Sequence, residues 1–105
     1  MMEITDCISF VDYIKLSREV TDKVGFLTMA FKRLHPHAPA DDLVNTGGRI
    51  AGLWSRCHKD TGYLLELIWV TAAKNPNGSH LNYIQAILDK KLTEKKPPVQ
   101  QLKRY

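Results

Sequence analysis

The sequence has few cysteines and no long apolar run. Cys7 and Cys57 are its only cysteines and have no C-x-x-C relation, so they do not indicate a disulfide scaffold. No apolar run approaches the roughly 20 residues that span a bilayer, and the first residues lack the basic and apolar regions of a secretory signal. We therefore expect no membrane partner and a reducing, cytoplasmic location, with both thiols buried or inert.

Residue patterns that indicate catalysis or metal binding are also lacking. His35 and His37 flank a proline at a spacing that can chelate a metal, but no nearby acidic or thiol side chain completes a familiar ligand set. Cys57 and His58 are adjacent, and adjacent side chains on a helix do not face each other. A glycine-rich phosphate loop ending in G-K-[ST] is missing. We expect a protein that is not an enzyme and that holds neither cofactor nor metal.

Charge is distributed unevenly along the chain. The 105 residues carry 15 Lys or Arg and 11 Asp or Glu, a net charge of +4. Residues 1–88 hold nine of each kind, so the excess lies in residues 89–105, where six basic residues accompany Asp89 and Glu94. A neutral body with a basic end is typical of a protein that binds a polyanion. The alternative is a solvated helix end, because lysines at a helix C-terminus also favour the helix dipole.

Apolar residues recur at helical spacing in the first third of the chain. The cleanest stripe is formed by Val20, Val24, Leu27, Phe31 and Leu34. The segment before it opens with the capping pattern Ser9-x-x-Asp12, although its aromatic and β-branched residues leave a strand open. The pattern also leaves open whether residues 8–34 form one bent helix or two.

The middle of the chain carries two further helical segments. Prolines at 36 and 39 interrupt the preceding helix, and Asp41 and Asp42 then stand where a helix N-terminus favours negative charge. The pair Gly47-Gly48 lies within the helical face that follows, and we attribute it to close helix packing. Residues 63–73 are apolar on nearly every side, which is typical of a central buried helix. These patterns predict an all-α fold, a compact bundle of four to five helices.

The most distinctive helix is predicted over residues 79–92, after a turn reading Asn-Pro-Asn-Gly-Ser. Ser79 is its expected N-cap, and an apolar stripe runs along it at helical spacing. Pro97-Pro98 ends helical structure. We assign residues 1–92 to a single helical domain and residues 93–105 to a basic, mobile tail.

Two residues beside that stripe, Tyr83 and Ile87, lie one helical turn apart. Tyr83 also precedes the pair Lys90-Lys91 by about two turns, so its ring could stack on a base while the lysines contact phosphate. The alternative is that the ring packs against the helix of Trp69 with its hydroxyl at the surface.

Residues 64–73, a short Asn-rich turn and the segment Asn-Tyr-Ile-Gln-Ala-Ile-Leu at 82–88 together resemble the DnaD-like domain. That domain occurs in replication-initiation and helicase-loading proteins of Gram-positive bacteria and their phages. Its motif is Tyr-x-x-x-Ile-x-x-x-Trp, and Tyr83 and Ile87 match the first two positions, whereas Lys91 stands in place of Trp. The resemblance covers about residues 43–92.

The resemblance implies an all-α module that binds single- or double-stranded DNA with weak sequence preference, self-associates and works beside a replication protein. The DNA-binding residues it implies are Tyr83, Ile87, Lys90, Lys91, Lys95 and Lys96. The basic tail adds Lys103 and Arg104 to the predicted DNA-binding residues. The alternative function is a helical protein-interaction or oligomerisation adaptor that binds no nucleic acid.

Overall fold

The computed structural model describes residues 3–95, and the side chains of residues 3–90, as helices joined by short turns. A 3₁₀ turn at Ile4–Asp6 precedes six α-helices: α1 Phe10–Glu19, α2 Lys23–Leu34, α3 Ala40–Leu43, α4 Thr46–Arg56, α5 Thr61–Lys74 and α6 His80–Lys95. No strand occurs within residues 3–95, so the all-α prediction is confirmed. None of these helices is both long and apolar enough to cross a membrane.

The helix count exceeds the predicted four to five, partly because residues 8–34 form two helices. α1 ends at Glu19, and Asp22 begins α2 by accepting the Gly25 N–H at 2.9 Å. The ammonium group of Lys23 donates to the carbonyls of Ser17 and Val20 at 2.6 and 2.7 Å. It thereby satisfies carbonyls that the end of α1 leaves without helical partners.

The other additional helix is the short α3, which Asn45 separates from α4. Asn45 is in the left-handed region, with φ of 55°. A right-handed helix cannot continue through such a residue, so residues 40–56 form two helices instead of one. The glycine pair consequently lies in the first turn of α4. A Cβ on Gly48 would stand 2.7 Å from the Asn45 amide oxygen, whereas one on Gly47 would meet only Thr28 Oγ1, at 3.9 Å. Gly48 is therefore explained by the space that the Asn45 side chain occupies, and not by the predicted close packing of helices.

The apolar helix α5 is the centre of the core, as the sequence predicts. Its Leu64, Leu65 and Ile68 side chains are fully buried, and α1, α2, α4 and α6 all pack against it. The ring of Trp69 contacts the rings of Phe10 and Tyr13 in α1, with centroids 5.6 and 5.9 Å apart. Each fully buried leucine or isoleucine contributes about 1.5–3 kcal/mol through removal of apolar surface from water.

The last helix packs beside α4, and the two run in the same direction. Arg49 donates to the side chain of Asn82, and Arg56 pairs with Asp89. From the first pair to the second, the residue number rises by seven in α4 and by seven in α6. The two helices therefore run parallel. α6 continues to Lys95, three residues past its predicted end at 92. Of the predicted basic, mobile tail at 93–105, residues 96–105 lie outside the described residues.

Candidate nucleic-acid interface

The N-terminus of α6 is held by side chains from within the helix and from α3. Ser79 is the N-cap, as predicted, and its hydroxyl oxygen accepts the Asn82 N–H at 3.1 Å. The same hydroxyl donates to the carboxylate of Asp42. That carboxylate also accepts the N–H groups of His80 and Leu81, at 2.6 and 3.4 Å. The first turn of α6 therefore has a partner for three of the amides that helix geometry leaves unpaired.

Asp42 has a different role from the one its position in the chain suggests. It lies in the first turn of α3, where the sequence predicts it as a helix-start charge, but its side chain is fully buried. The carboxylate faces the N-terminal end of α6, where the helix dipole favours negative charge. Arg49 Nη1 lies 3.5 Å from the carboxylate and provides an opposite charge. Asp41, the neighbouring residue, is exposed.

An open groove of about 380 Å³ lies between α4 and α6. It is lined by Arg49, Gly52, Leu53, Arg56 and Gln85. A Cβ on Gly52 would have no heavy atom within 4 Å, so the glycine leaves this part of the groove open. The two arginines are seven residues apart on α4, which places them about 10 Å apart along the helix axis.

The arginines of this groove are accessible to solvent. The side chains of Arg49 and Arg56 are 29% and 46% exposed. Their planar guanidinium groups match the geometry of phosphate and carboxylate oxygens. The pair between Arg56 and Asp89 is exposed on both sides, and such pairs contribute only about 0–1 kcal/mol.

Arg49 and Arg56 are the charged side chains that line this groove. No protein-family model, curated protein or solved structure matches the chain.

The predicted site residues whose side chains the structure describes lie on the flank of α6 that faces away from the α4–α6 groove. Tyr83, Ile87 and Lys90 follow one another at spacings of four and three residues, so they lie on one side of the helix. Tyr83 is half-buried and Lys90 is exposed. Ile87 is half-buried and packs against the core, which gives this position a structural contact.

The remaining predicted site residues have no described side chains. Lys91 and Lys95 lie within α6, and only their place in the helix is established. Lys96, Lys103 and Arg104 lie outside the described residues. Whether these five lysines and arginines adjoin Tyr83 stays a prediction.

The polar flank of α6 and the arginines opposite it were not predicted from the sequence. Asn82, Gln85 and Asp89 follow one another at spacings of three and four residues, a signal of one helix face. Arg49 and Arg56 likewise share one face of α4. Each face can be deduced from the sequence, but only the packing of α4 beside α6 brings them together.

Proposed function

We propose that this chain is a non-enzymatic module that binds DNA through α6, as the resemblance to the DnaD-like domain implies. The α4–α6 groove would hold backbone phosphates. The observation that supports this function best is the placement of Arg49 and Arg56 along an open groove beside α6. Phosphate contacts of this kind provide affinity and orientation without sequence information, which fits weak sequence preference.

Other described residues of α6 offer a second surface for DNA, on the opposite flank of the helix. Lys90 is exposed on the flank opposite the groove, and Tyr83 leaves part of its ring accessible. Stacking of one base on an aromatic ring contributes about 1–3 kcal/mol and tolerates any base. The basic residues that follow Lys90 in the sequence add further positive charge to the same end of the chain.

The test is fluorescence polarisation with the full chain and labelled single-stranded and duplex oligonucleotides at several salt concentrations. Loss of one phosphate contact should reduce the slope of log K against log salt by about 0.7–0.9. Arg56→Gln should therefore weaken binding and reduce the slope by about that amount. Arg56 is the suitable target because Arg49 also contacts the buried Asp42.

The matched control is Arg18→Gln, which removes the same charge from the last turn of α1, outside the groove. It should leave both affinity and salt slope close to those of the unmodified chain. Equal losses in the two variants would show that only net charge matters and would contradict a groove-specific site. No salt-dependent binding by the unmodified chain would overturn DNA binding altogether.

A second candidate function, self-association, is favoured by a different surface. An apolar groove of about 370 Å³ lies between the N-terminal turn, α1 and α2, and its lining includes Leu16, Phe26 and Met29. Met29 is 54% exposed. Sedimentation at several concentrations tests whether a second copy binds there. Met29→Glu should abolish dimer formation, and a chain that stays monomeric at all concentrations would contradict this function.

A further inference from the structure

Two histidines from distant parts of the chain meet in the interior beside the start of α6. His35 follows the last residue of α2, and His80 is the first residue of α6; their side chains are only 3% and 4% exposed. The two Nδ1 atoms are 2.6 Å apart. The other ring nitrogen of His35, Nε2, lies 2.9 Å from the carbonyl oxygen of Ile68 in α5. Stacking on the ring of Phe31, at a centroid distance of 4.5 Å, further fixes the His35 ring.

The contacts of His35 determine how many protons the pair can hold. A carbonyl oxygen only accepts hydrogen bonds, so His35 Nε2 must carry a proton to bond Ile68. The contact between the two Nδ1 atoms then requires one shared proton. When both rings are neutral, the shared proton is on His80 Nδ1. When the pair carries one positive charge, the shared proton can be on Nδ1 of either ring. If both rings were charged, two N–H groups would point at each other across 2.6 Å, which this contact cannot accommodate.

The surroundings of the pair contain few groups that could balance a second positive charge. Burial lowers the pKa of His35 foremost, and the nearby His80 lowers it further, whereas the Ile68 carbonyl and Asp42 act in the opposite direction. Asp42 is already bonded to Arg49 and to the first amides of α6. An imidazolium at the first residue of α6 is also disfavoured by the positive end of the helix dipole.

Water and protons have a route to the pair. A cavity of about 310 Å³ is lined by His35, His80, Asn75 and the exposed His37, together with Leu34, Pro36 and Ala72. Among the described residues no cluster of three or more His, Cys, Asp and Glu side chains could hold a metal ion. The pair is therefore best understood through its protons.

We propose that His35 and His80 form a proton-sensitive latch that keeps the start of α6 docked while they share a single proton and releases it when both rings become charged. Release separates His80 from α2 and α5 and breaks the contacts that Asp42 makes with the first turn of α6. This inference is independent of the proposed DNA binding, because it concerns only the docking of the helix.

The latch predicts a specific dependence of helix opening on pH. An imidazole in water has a pKa near 6.5, and the open form exposes both rings to water. Below that pH the closed form holds at least one proton fewer than the open form, so its opening constant should rise at least about tenfold for each further pH unit. Above about pH 7.5 the opening constant should not change with pH.

Amide hydrogen exchange of the full chain, followed by NMR from pH 7.5 to 5.0 and corrected for intrinsic rates, measures this opening. The N–H of Leu81, bonded to Asp42, reports on the latch. Its opening constant should increase at least about tenfold per pH unit below 6.5. An opening constant that stays the same across this range would overturn the latch.

Two variants separate the pair from other histidines. His80→Asn keeps a hydrogen-bonding group near the position of Nδ1 but cannot titrate. Only His35 is then left to take up a proton on opening, so the Leu81 opening constant should depend less steeply on pH. His37→Gln alters a histidine that lines the same cavity without joining the pair, so it should keep the dependence of the unmodified chain. An unchanged slope in His80→Asn would refute the proposal.

Nitrogen-15 NMR of the histidine rings in the unmodified chain supplies a readout that does not require any variant to fold. At pH 7.5 His35 should carry its proton on Nε2, and His80 should carry one on Nδ1. The dication should form only together with the opening at Leu81. Two rings that titrate independently near pH 6.5 in a closed α6 would show that no proton is shared.

Discussion

The carboxylate of Asp42 accepts the backbone N–H of His80 at 2.6 Å, across 38 residues of the chain. Through this bond a residue of α3 joins in forming the first turn of α6. Ser79 connects the two, since its hydroxyl donates to Asp42 and accepts the N–H of Asn82. The position of α6, and therefore of its polar flank beside α4, depends on this carboxylate.

Substitution of Asp42 should destabilise the protein strongly. In Asp42→Asn one carboxylate oxygen becomes an amide N–H₂, which cannot accept the amides of α6 and leaves buried donors unsatisfied. We expect a loss of about 2–4 kcal/mol in the free energy of unfolding, measured by urea denaturation. Asp41→Asn is the control, because that exposed neighbour in the same turn of α3 should change stability by no more than about 0.5 kcal/mol. Similar losses in both variants would contradict the capping role of Asp42.

Removal of Asp89 should strengthen DNA binding if the α4–α6 groove holds phosphate. Asp89→Asn removes the carboxylate that pairs with Arg56, and an exposed pair of this kind contributes at most about 1 kcal/mol to stability. We expect affinity for a labelled oligonucleotide to rise by about two- to fivefold, roughly 0.4–1 kcal/mol. Glu66→Gln removes the same charge from an exposed position on α5 and should give a smaller increase. An equal increase in both would indicate a general charge effect instead of a local site.

The two thiols should react slowly in the folded protein. Cys7 and Cys57 are 2% and 6% exposed, and burial is the main cause that raises the pKa of each. At pH 8 both are therefore mostly protonated, and the thiolate is the nucleophile. Ellman's reagent should label neither cysteine rapidly in buffer and both in urea. Rapid labelling of the folded Cys57→Ser variant would show that the segment around Cys7 opens locally.

A glycine at position 58 should stabilise the turn between α4 and α5. His58 is exposed and has φ of 59°, in the left-handed region that costs most residues about 1–2 kcal/mol. Since glycine loses more chain entropy on folding, we expect His58→Gly to gain about 0.5–1 kcal/mol, measured as a rise in Tm. Ser55→Gly, in the last turn of α4, should instead lose about 0.5 kcal/mol. A loss of stability in His58→Gly would contradict strain at this position.

Local signals in the sequence predicted much of the helical framework. Ser9 and Asp12 form the expected capping box, and Ser79 caps α6 as expected. A cap works because the side chain bonds amides only two or three residues away, so the pattern is contained in a few neighbouring letters. The burial of α5 was predictable for a similar reason, since a helix without a polar side has no favourable exposed face.

The candidate site was less predictable, because its partners are distant in the chain. Tyr83 and Lys90 follow from the helical period, but nothing local shows that Arg56 of α4 would lie beside Asp89. From the sequence, Asp42 is predicted as a negative charge at the start of its own helix. That helix's dipole already explains a carboxylate there, so the sequence does not point to a contact with α6. The contact between His35 and His80 has no local signal at all.

What the sequence determined by itself is the all-α fold class, several of the helix caps and the charge imbalance at the chain's end, because these depend on neighbouring residues. Tertiary structure decided the rest. Packing of α2, α3 and α5 around the start of α6 buries Asp42, His35 and His80, and burial converts ordinary polar residues into groups that must satisfy one another. The parallel packing of α4 and α6 likewise turns two separate polar faces into one groove, a relationship that no stretch of sequence contains.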